Sequence, residues 1–368
     1  MKYLTLPFQK KIAILGLVFI ILLVIAEVVL SWLKIFPDDY YTMTPNSGFT
    51  WIINSKEIEG IQGDSEVLFD KHGARSISDI ENKENKIAVF GGSTTACLAL
   101  TQSLTWSALL EKKLGDTYWV GNFGRPGNSS NHHVLQFKHI LEKPELSGVK
   151  TVLVMQGVND FIGYLVSSKR YINSSDEELE KIAFQHTPNK WFSIRQTNLF
   201  RLMAKAKKKI MFYFVHKEYL TKVAKDIRGL RKESELIDSL PPLAEGLNHY
   251  QKNTEKIIRL ANEKNIKVIF ITQATMWKPN LEEKYEKLLL TSGFENNEAF
   301  YSTLALYDGM NAFNDRLRSV CNQNNISYID LDIPKTTASF YDDFHFNESG
   351  AKLVADQLSQ SLKTLLKK

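Results

Sequence analysis

The longest apolar run in the chain lies near its amino end, where Ile12 to Leu33 read IAILGLVFIILLVIAEVVLSWL with Glu27 as the one charge. Wound as a helix at 1.5 Å per residue it is roughly 33 Å long, enough to cross the hydrocarbon core of a bilayer. The run is apolar on every side, unlike the one-faced helix of a soluble core. Glu27 stands six residues from the outer end, where a long side chain reaches toward the headgroups. Lys2, Lys10 and Lys11 precede the run, whereas after it Lys34 is followed by Asp38 and Asp39. The positive-inside rule therefore makes residues 1–11 a cytoplasmic tail and 12–33 a single-pass anchor, and exports the remainder to the periplasm or the cell exterior. A cleaved signal peptide is the alternative; the length of the run and the lack of an A-x-A pair after it favour the anchor.

Beyond the anchor, residues 34–85 are polar and turn-rich with isolated aromatics such as Tyr40, Tyr41, Phe49 and Trp51, which predicts a stalk and an edge decoration. The pattern changes at about residue 86. Short β-branched runs at Ile87–Phe90, Trp119–Phe123, Thr151–Gln156, Lys267–Thr272 and Ser327–Leu331 alternate with helical periodicity at Trp106–Leu114, Asn131–Leu141, Leu247–Lys264, Gly309–Asn324 and Glu348–Leu366. Strands separated by helices predict an α/β domain over 86–368 with a five-stranded parallel, helix-covered sheet. Spacing between the third and fourth strands exceeds 100 residues, so about 162–244 is an insertion.

Composition adds little except within that insertion. At 43% hydrophobic and 24% charged residues over 368 positions, the chain is neither a polytopic membrane protein nor a disordered one. Cys97 and Cys321 are too few for a disulfide framework or a four-thiolate zinc site, and both are expected to stay unpaired. The net charge of +5 is local: Arg201–Lys232 holds eleven Lys or Arg against Glu218 and Asp226, which leaves −4 for the rest. Within that stretch Leu199, Leu202, Met203, Ala206 and Ile210 recur at helical spacing opposite Lys205, Lys208 and Lys209, as in a basic amphipathic helix. Packing on its own domain is the first reading of that helix, and contact with anionic lipid or glycan the second. No nucleic-acid partner is expected.

The candidate chemistry gathers at strand ends. The first strand runs into Gly91-Gly92-Ser93-Thr94-Thr95, which puts Ser93 at the carboxyl edge of the sheet, where open α/β folds bind ligands. Such a turn can present a nucleophile or cradle a phosphate. The second strand ends in Asn122-Phe123-Gly124-Arg125-Pro126-Gly127-Asn128 and the third in Gln156-Gly157-Val158-Asn159-Asp160. A glycine-loop N–H and an asparagine amide are the donors required where negative charge develops on a carbonyl oxygen. Before the last helix comes Tyr341-Asp342-Asp343-Phe344-His345-Phe346-Asn347. Asp342 and His345, three apart, can face each other as a general-base pair, although Asp-x-x-His is also a metal-ligand fragment.

Together and in this order, GGSTT, NFGRPGN, GVND and DDFH resemble the blocks of the SGNH hydrolases, which include the GDSL esterases and lipases. The resemblance covers about 280 residues from Ile87 onward and implies a flavodoxin-like three-layer α/β/α fold. It implies Ser93 as nucleophile, His345 as general base and acid, Asp342 as its orienting carboxylate, and an oxyanion hole from the N–H groups of Ser93 and Gly127 and the amide of Asn159. No metal or organic cofactor is required. Two positions depart from the GDSL signature, with Gly92 in place of its Asp and Cys97 in place of its closing Gly. The GGST form with an amino-terminal anchor is similar to envelope-associated, polysaccharide-linked members, and Asp343 is a rival to Asp342.

The expected activity is that of a serine esterase removing acyl groups, acetyl first of all, from an envelope glycan. Alternatives are a lipid esterase, an acyltransferase with the same triad, and a non-catalytic glycan-assembly protein. Arg125 and Asn128 are candidate substrate contacts, Arg125 for an anionic group. His132 and His133 are expected at the surface or behind the site rather than on a metal. The polar run from Asn128 to His133, with Thr336, Thr337, Ser339 and Asn347, predicts an open, sugar-lined groove.

Overall fold

The structure is a computed structural model that describes residues 8–33, 38–53, 55, 58–188, 197–203, 226–232, 234–291 and 300–366. The chain divides into two compact units, one of residues 1–39 with 187–217 and one of residues 40–186 with 218–368.

In the first unit the apolar run forms one helix, Phe8–Trp32, long and apolar enough to cross a membrane, with most of its described side chains exposed. Glu27 does not stand alone on it. Its carboxylate accepts hydrogen bonds from the backbone N–H of Asn198 at 2.7 Å and of Leu199 at 2.9 Å, and from the Asn198 amide at 2.9 Å. These are first N–H groups of the helical turn at 198–203, which have no partner within that turn. Most of the basic amphipathic stretch expected at Arg201–Lys232 lies outside the described residues.

The second unit is built on a parallel sheet. A hairpin of β1 (Ser47–Trp51) and β2 (Ser65–Phe69) comes first, then β3 (Asn85–Gly91), β4 (Tyr118–Asn122), β5 (Val149–Met155), β6 (Leu236–Ile237), β7 (Lys267–Ile271), β8 (Phe300–Tyr301) and β9 (Tyr328–Ile329). Among the described residues the main sheet has five strands in the order β4-β3-β5-β7-β9, all parallel. This is the expected flavodoxin-like arrangement. The inner strands β3, β5 and β7 read as near-continuous apolar runs because both faces are covered. Helices Trp106–Leu114 and Glu348–Leu365 pack together, and Ala244–Glu263 packs against both Ser130–His139 and Thr303–Gln323. Trp106, Trp119, Trp277, Phe90 and Phe270 are fully buried in the single core cluster. Cys97 and Cys321 are both buried and unpaired.

Strand register decides where the loops emerge. Gly91 pairs with Met155, and Met155 with Ile271, so Gly92-Ser93, Gln156-Gly157 and Thr272 leave the sheet side by side. From Tyr40 onward the segment after the anchor belongs to this unit. Arg75 pairs with Asn122 and covers the outer edge of β4, and Tyr41 bridges to His186.

Candidate active site

Ser93 opens a four-residue helix, Ser93–Ala96, directly after β3. A Cβ at the preceding position, Gly92, would lie 2.1 Å from the amide nitrogen of Asn159, which would have to shift, and 3.2 Å from the Asn128 carbonyl. The short helix is held from behind. Arg75 is buried and donates to the carbonyls of Ala96 (2.7 Å), Cys97 (2.8 Å) and Leu100 (2.9 Å). Burial lowers its pKa only to about 10, so it stays charged and faces the negative end of the turn. Asn122 donates to the Thr95 carbonyl at 2.6 Å, and the Trp106 indole to that of Thr94 at 3.1 Å.

The loop after β4 is tied to β3 by Arg125 N–H donating to the Gly91 carbonyl at 3.0 Å. It then turns tightly, with Asn128 N–H donating to the Arg125 carbonyl at 3.1 Å and Gly127 at φ +83°, a value that favours glycine at the third position of such a turn. Asn159 lies in the first turn of helix Val158–Val166 and donates through its amide to the Asn128 carbonyl at 2.7 Å. That bond uses one of its two amide hydrogens.

The carboxyl-terminal loop folds around Asp342. Its Oδ1 accepts the backbone N–H of Phe344 (3.1 Å) and of His345 (2.8 Å), while Oδ2 accepts His345 Nδ1–H at 2.7 Å. On the other side of the ring, His345 Nε2 accepts the Ser93 hydroxyl at 2.7 Å. Tyr341 stacks on the imidazole, 5.5 Å between centroids and 9° between planes. Burial alone would lower the pKa of His345, but the charge of Asp342 and its hydrogen bond, with the charge of Asp343, hold it above the ordinary value.

Asp343 points elsewhere. Its carboxylate accepts the Trp277 indole N–H at 2.8 Å and the N–H groups of Thr291, at 2.9 Å, and Leu290. Burial and the charge of Asp342 raise its pKa.

Thus Ser93, Gly127, Asn159, Asp342 and His345 are gathered at one edge. The sequence fits the GDSL-like lipase/acylhydrolase family over residues 89–353. The chain belongs to that family. Its members are ester-bond hydrolases, and so is the class of this protein. Solved structures with similar folds include an acetyl xylan esterase (15% identity, 75% of this chain and 99% of that one, TM-score 0.41). Others are a psychrotrophic esterase from Pseudoalteromonas sp. (13%, 77% and 100%, 0.39) and a GDSL-like lipase from Bacteroides thetaiotaomicron (12%, 77% and 89%, 0.38). The family match stands on the sequence. No curated protein matches.

Arg125 and Asn128, the expected substrate contacts of this GDSL-family chain, both have structural partners or burial of their own. The half-buried Arg125 guanidinium donates through Nε to the Ile182 carbonyl (2.6 Å) and through Nη1 to the Thr42 carbonyl (2.9 Å), so it fastens the loop. Asn128 is buried, and it is its carbonyl that serves the site, through Asn159. The expected sugar-lined groove is corrected as well. Residues Ser129 to His133, with Ser339 and Asn347, are buried. Ser130 donates to Asp160, Asn131 to the Tyr171 carbonyl, and Asn253 to Asn131. His132 and His133 are interior, with burial pushing them down to about 3 and about 4, so both are neutral.

What adjoins Ser93 is instead a cavity of about 320 Å³ walled largely by Trp51, Ile58, Leu98, Ala99, Pro126 and Leu290. These wall residues and Arg75 escaped sequence reasoning because each carries an ordinary local signal and acquires its place only through tertiary contact.

Proposed function

We propose that the protein is a serine esterase of the acyl-enzyme type, anchored by its amino-terminal helix with the catalytic unit exported. The reading is carried by the unbroken hydrogen-bond chain from Asp342 through His345 to Ser93. In it, Ser93 Oγ attacks the ester carbonyl as its proton passes to His345 Nε2. Asp342 holds the imidazole in the required tautomer and stabilises the imidazolium that forms. The first N–H of the helix at Ser93, the N–H of Gly127 and the second amide hydrogen of Asn159 receive the oxyanion. His345 returns its proton to the leaving alkoxide, and the same cycle with water in place of serine releases the acid.

The apolar cavity supports a larger acyl group than acetyl. Each methylene buried in it contributes about 0.8 kcal/mol, or roughly a fourfold gain in kcat/KM. Rates on aryl esters should therefore climb from acetyl to a maximum at intermediate length and fall once the chain outgrows the cavity. A monotonic decline from acetyl would return the substrate to an acetylated glycan. Ser93→Ala should abolish both turnover and labelling by a fluorophosphonate, with the fold retained by circular dichroism; wild-type turnover in that variant would refute the nucleophile.

A further inference from the structure

Glu27 is the one charge in the apolar run, and its partners come from far along the chain. At 1.5 Å per residue it lies about 9 Å inside the outer end of the run, a depth at which a carboxylate without partners is costly. It accepts the N–H groups of Asn198 and Leu199 and the Asn198 amide, and the same amide also donates to Ser31 Oγ at 2.8 Å. Glu27 and Ser31 are four apart and share one face of the helix. Among the described residues of the anchor, Ala26, Glu27 and Leu30 alone are partly covered, and they mark that same side of its outer turns.

The segment that meets them has its backbone bonds complete. Thr197 Oγ1 accepts the Phe200 N–H at 3.3 Å and the Thr197 carbonyl the Arg201 N–H at 3.0 Å. With Glu27, the first four N–H groups of the turn at 198–203 all have acceptors. Its side chains are less well provided for. Phe200, Leu202 and Met203 are 37%, 41% and 57% exposed, three large apolar groups within four residues. Held through Glu27 at the level of the anchor's apolar outer turns, they face acyl chains and not water. Arg201 lies among them, and Lys205, Lys207, Lys208 and Lys209 follow in the sequence, cations suited to anionic headgroups.

We propose that residues 197–203 are a second membrane contact of this chain, seated on Glu27 and Ser31, with Phe200, Leu202 and Met203 in the outer interface of the bilayer. A one-faced helical turn of this kind lies about 5–10 Å into the boundary of headgroups and acyl chains, which is where Glu27 stands. The proposal rests on reading Phe8–Trp32 as an anchor and goes beyond it: the anchor is also a docking surface, and Glu27 sets the depth of what docks.

The test uses the full-length protein in vesicles of phosphatidylcholine and phosphatidylglycerol, with the fluorophore NBD on one introduced cysteine at a time: Leu202→Cys, Met203→Cys, or Leu22→Cys in the middle of the anchor. The native Cys97 and Cys321 are buried, and wild-type protein put through the same labelling supplies the background. Lipids with a nitroxide near the headgroup should quench the labels at 202 and 203 about twice as strongly as lipids with it at the chain end, and the order should reverse at 22. Glu27→Leu should cut the shallow quenching at 203 by about half, whereas Glu27→Gln, which keeps an acceptor oxygen, should retain most of it. Neither change should alter quenching at 22. Quenching at 22 with none at 202 or 203 would overturn the contact and leave the anchor standing. No lipid quenching at any of the three would overturn the anchor and the contact with it. Shallow quenching at 203 that survives Glu27→Leu in full would overturn the seat on Glu27. Labels at 202 and 203 shielded from aqueous iodide yet unquenched by lipid would mean a protein partner, a second copy included, and would overturn the lipid as occupant.

Discussion

Two adjacent carboxylates in one loop have opposite fates, and the difference is a matter of donors. Asp342 spends one oxygen on the turn that makes the loop and the other on His345, whereas Asp343 faces the Trp277 indole and the N–H groups of Leu290 and Thr291. Asp342→Asn should lower kcat by about 10⁴ through the wrong imidazole tautomer. Because Asp342 is what raises His345, the same change should also move the acid limb of kcat/KM to lower pH. The sign in the wild type follows from the base having to be neutral: with a folded pKa above 6.5, activity is lost as pH falls through a midpoint above that value. Asp343→Asn should lower Tm while keeping most of kcat. A large loss of kcat in Asp343→Asn at unchanged Tm, with Asp342→Asn near wild type, would exchange their roles. Ser93, Asn159, Asp342 and His345 were legible in the sequence because each sits in a short local motif. Arg75 was not, because nothing near it in sequence marks a residue whose carbonyl partners lie 21 or more positions away, and neither was Trp51, whose place beside Ser93 comes only from the fold.

The elements themselves were legible wherever the chain is buried on a regular period. β3, β5 and β7 fall within two residues of the apolar runs that predict them, while β9 shrinks to Tyr328–Ile329 at the sheet edge. Helix Thr303–Gln323 begins six residues before its expected start, since Ser302 caps it by accepting the Ala305 N–H, and Gly309 lies inside it. The polar run after β4 misled more seriously. Its composition looks like a solvated groove, yet it is interior because Asp160 lies beneath the start of helix Ser130–His139, accepting the Ser130 N–H at 3.0 Å and the Tyr171 hydroxyl at 2.7 Å. Asp160→Ala should cost about 3 kcal/mol in denaturant unfolding, as these donors lose their acceptor. Burial raises Asp160 to about 6 from 3.8, so the folded state binds its proton more tightly and that contribution is lost as pH rises from about 4 through 6. The gap between wild type and variant should accordingly be wider at pH 4.5 than at pH 7.5. A gap that widens with pH would mean that Asp160 is favoured as the anion.

For the molecule as a whole, the helix Phe8–Trp32, with Lys2 before it and Lys10 and Lys11 in its first turn, supports an exported catalytic unit. A reporter active only outside the cytoplasm, fused after Lys368, should be active; activity from a cytoplasm-specific reporter alone would reverse the topology and remove the envelope as the setting. Trp51 and Ile58 bear on a different question, the choice of a soluble fragment. The family match begins at residue 89, which invites cutting just before β3. Such a cut would discard two walls of the acyl cavity and, with Arg75, the buried cation that holds the nucleophile's turn. A fragment beginning near Tyr40 keeps all three. The shorter one should be purified, if at all, as a protein whose serine is present but loosely aimed, and a weak esterase obtained that way would reflect the excision and not the enzyme.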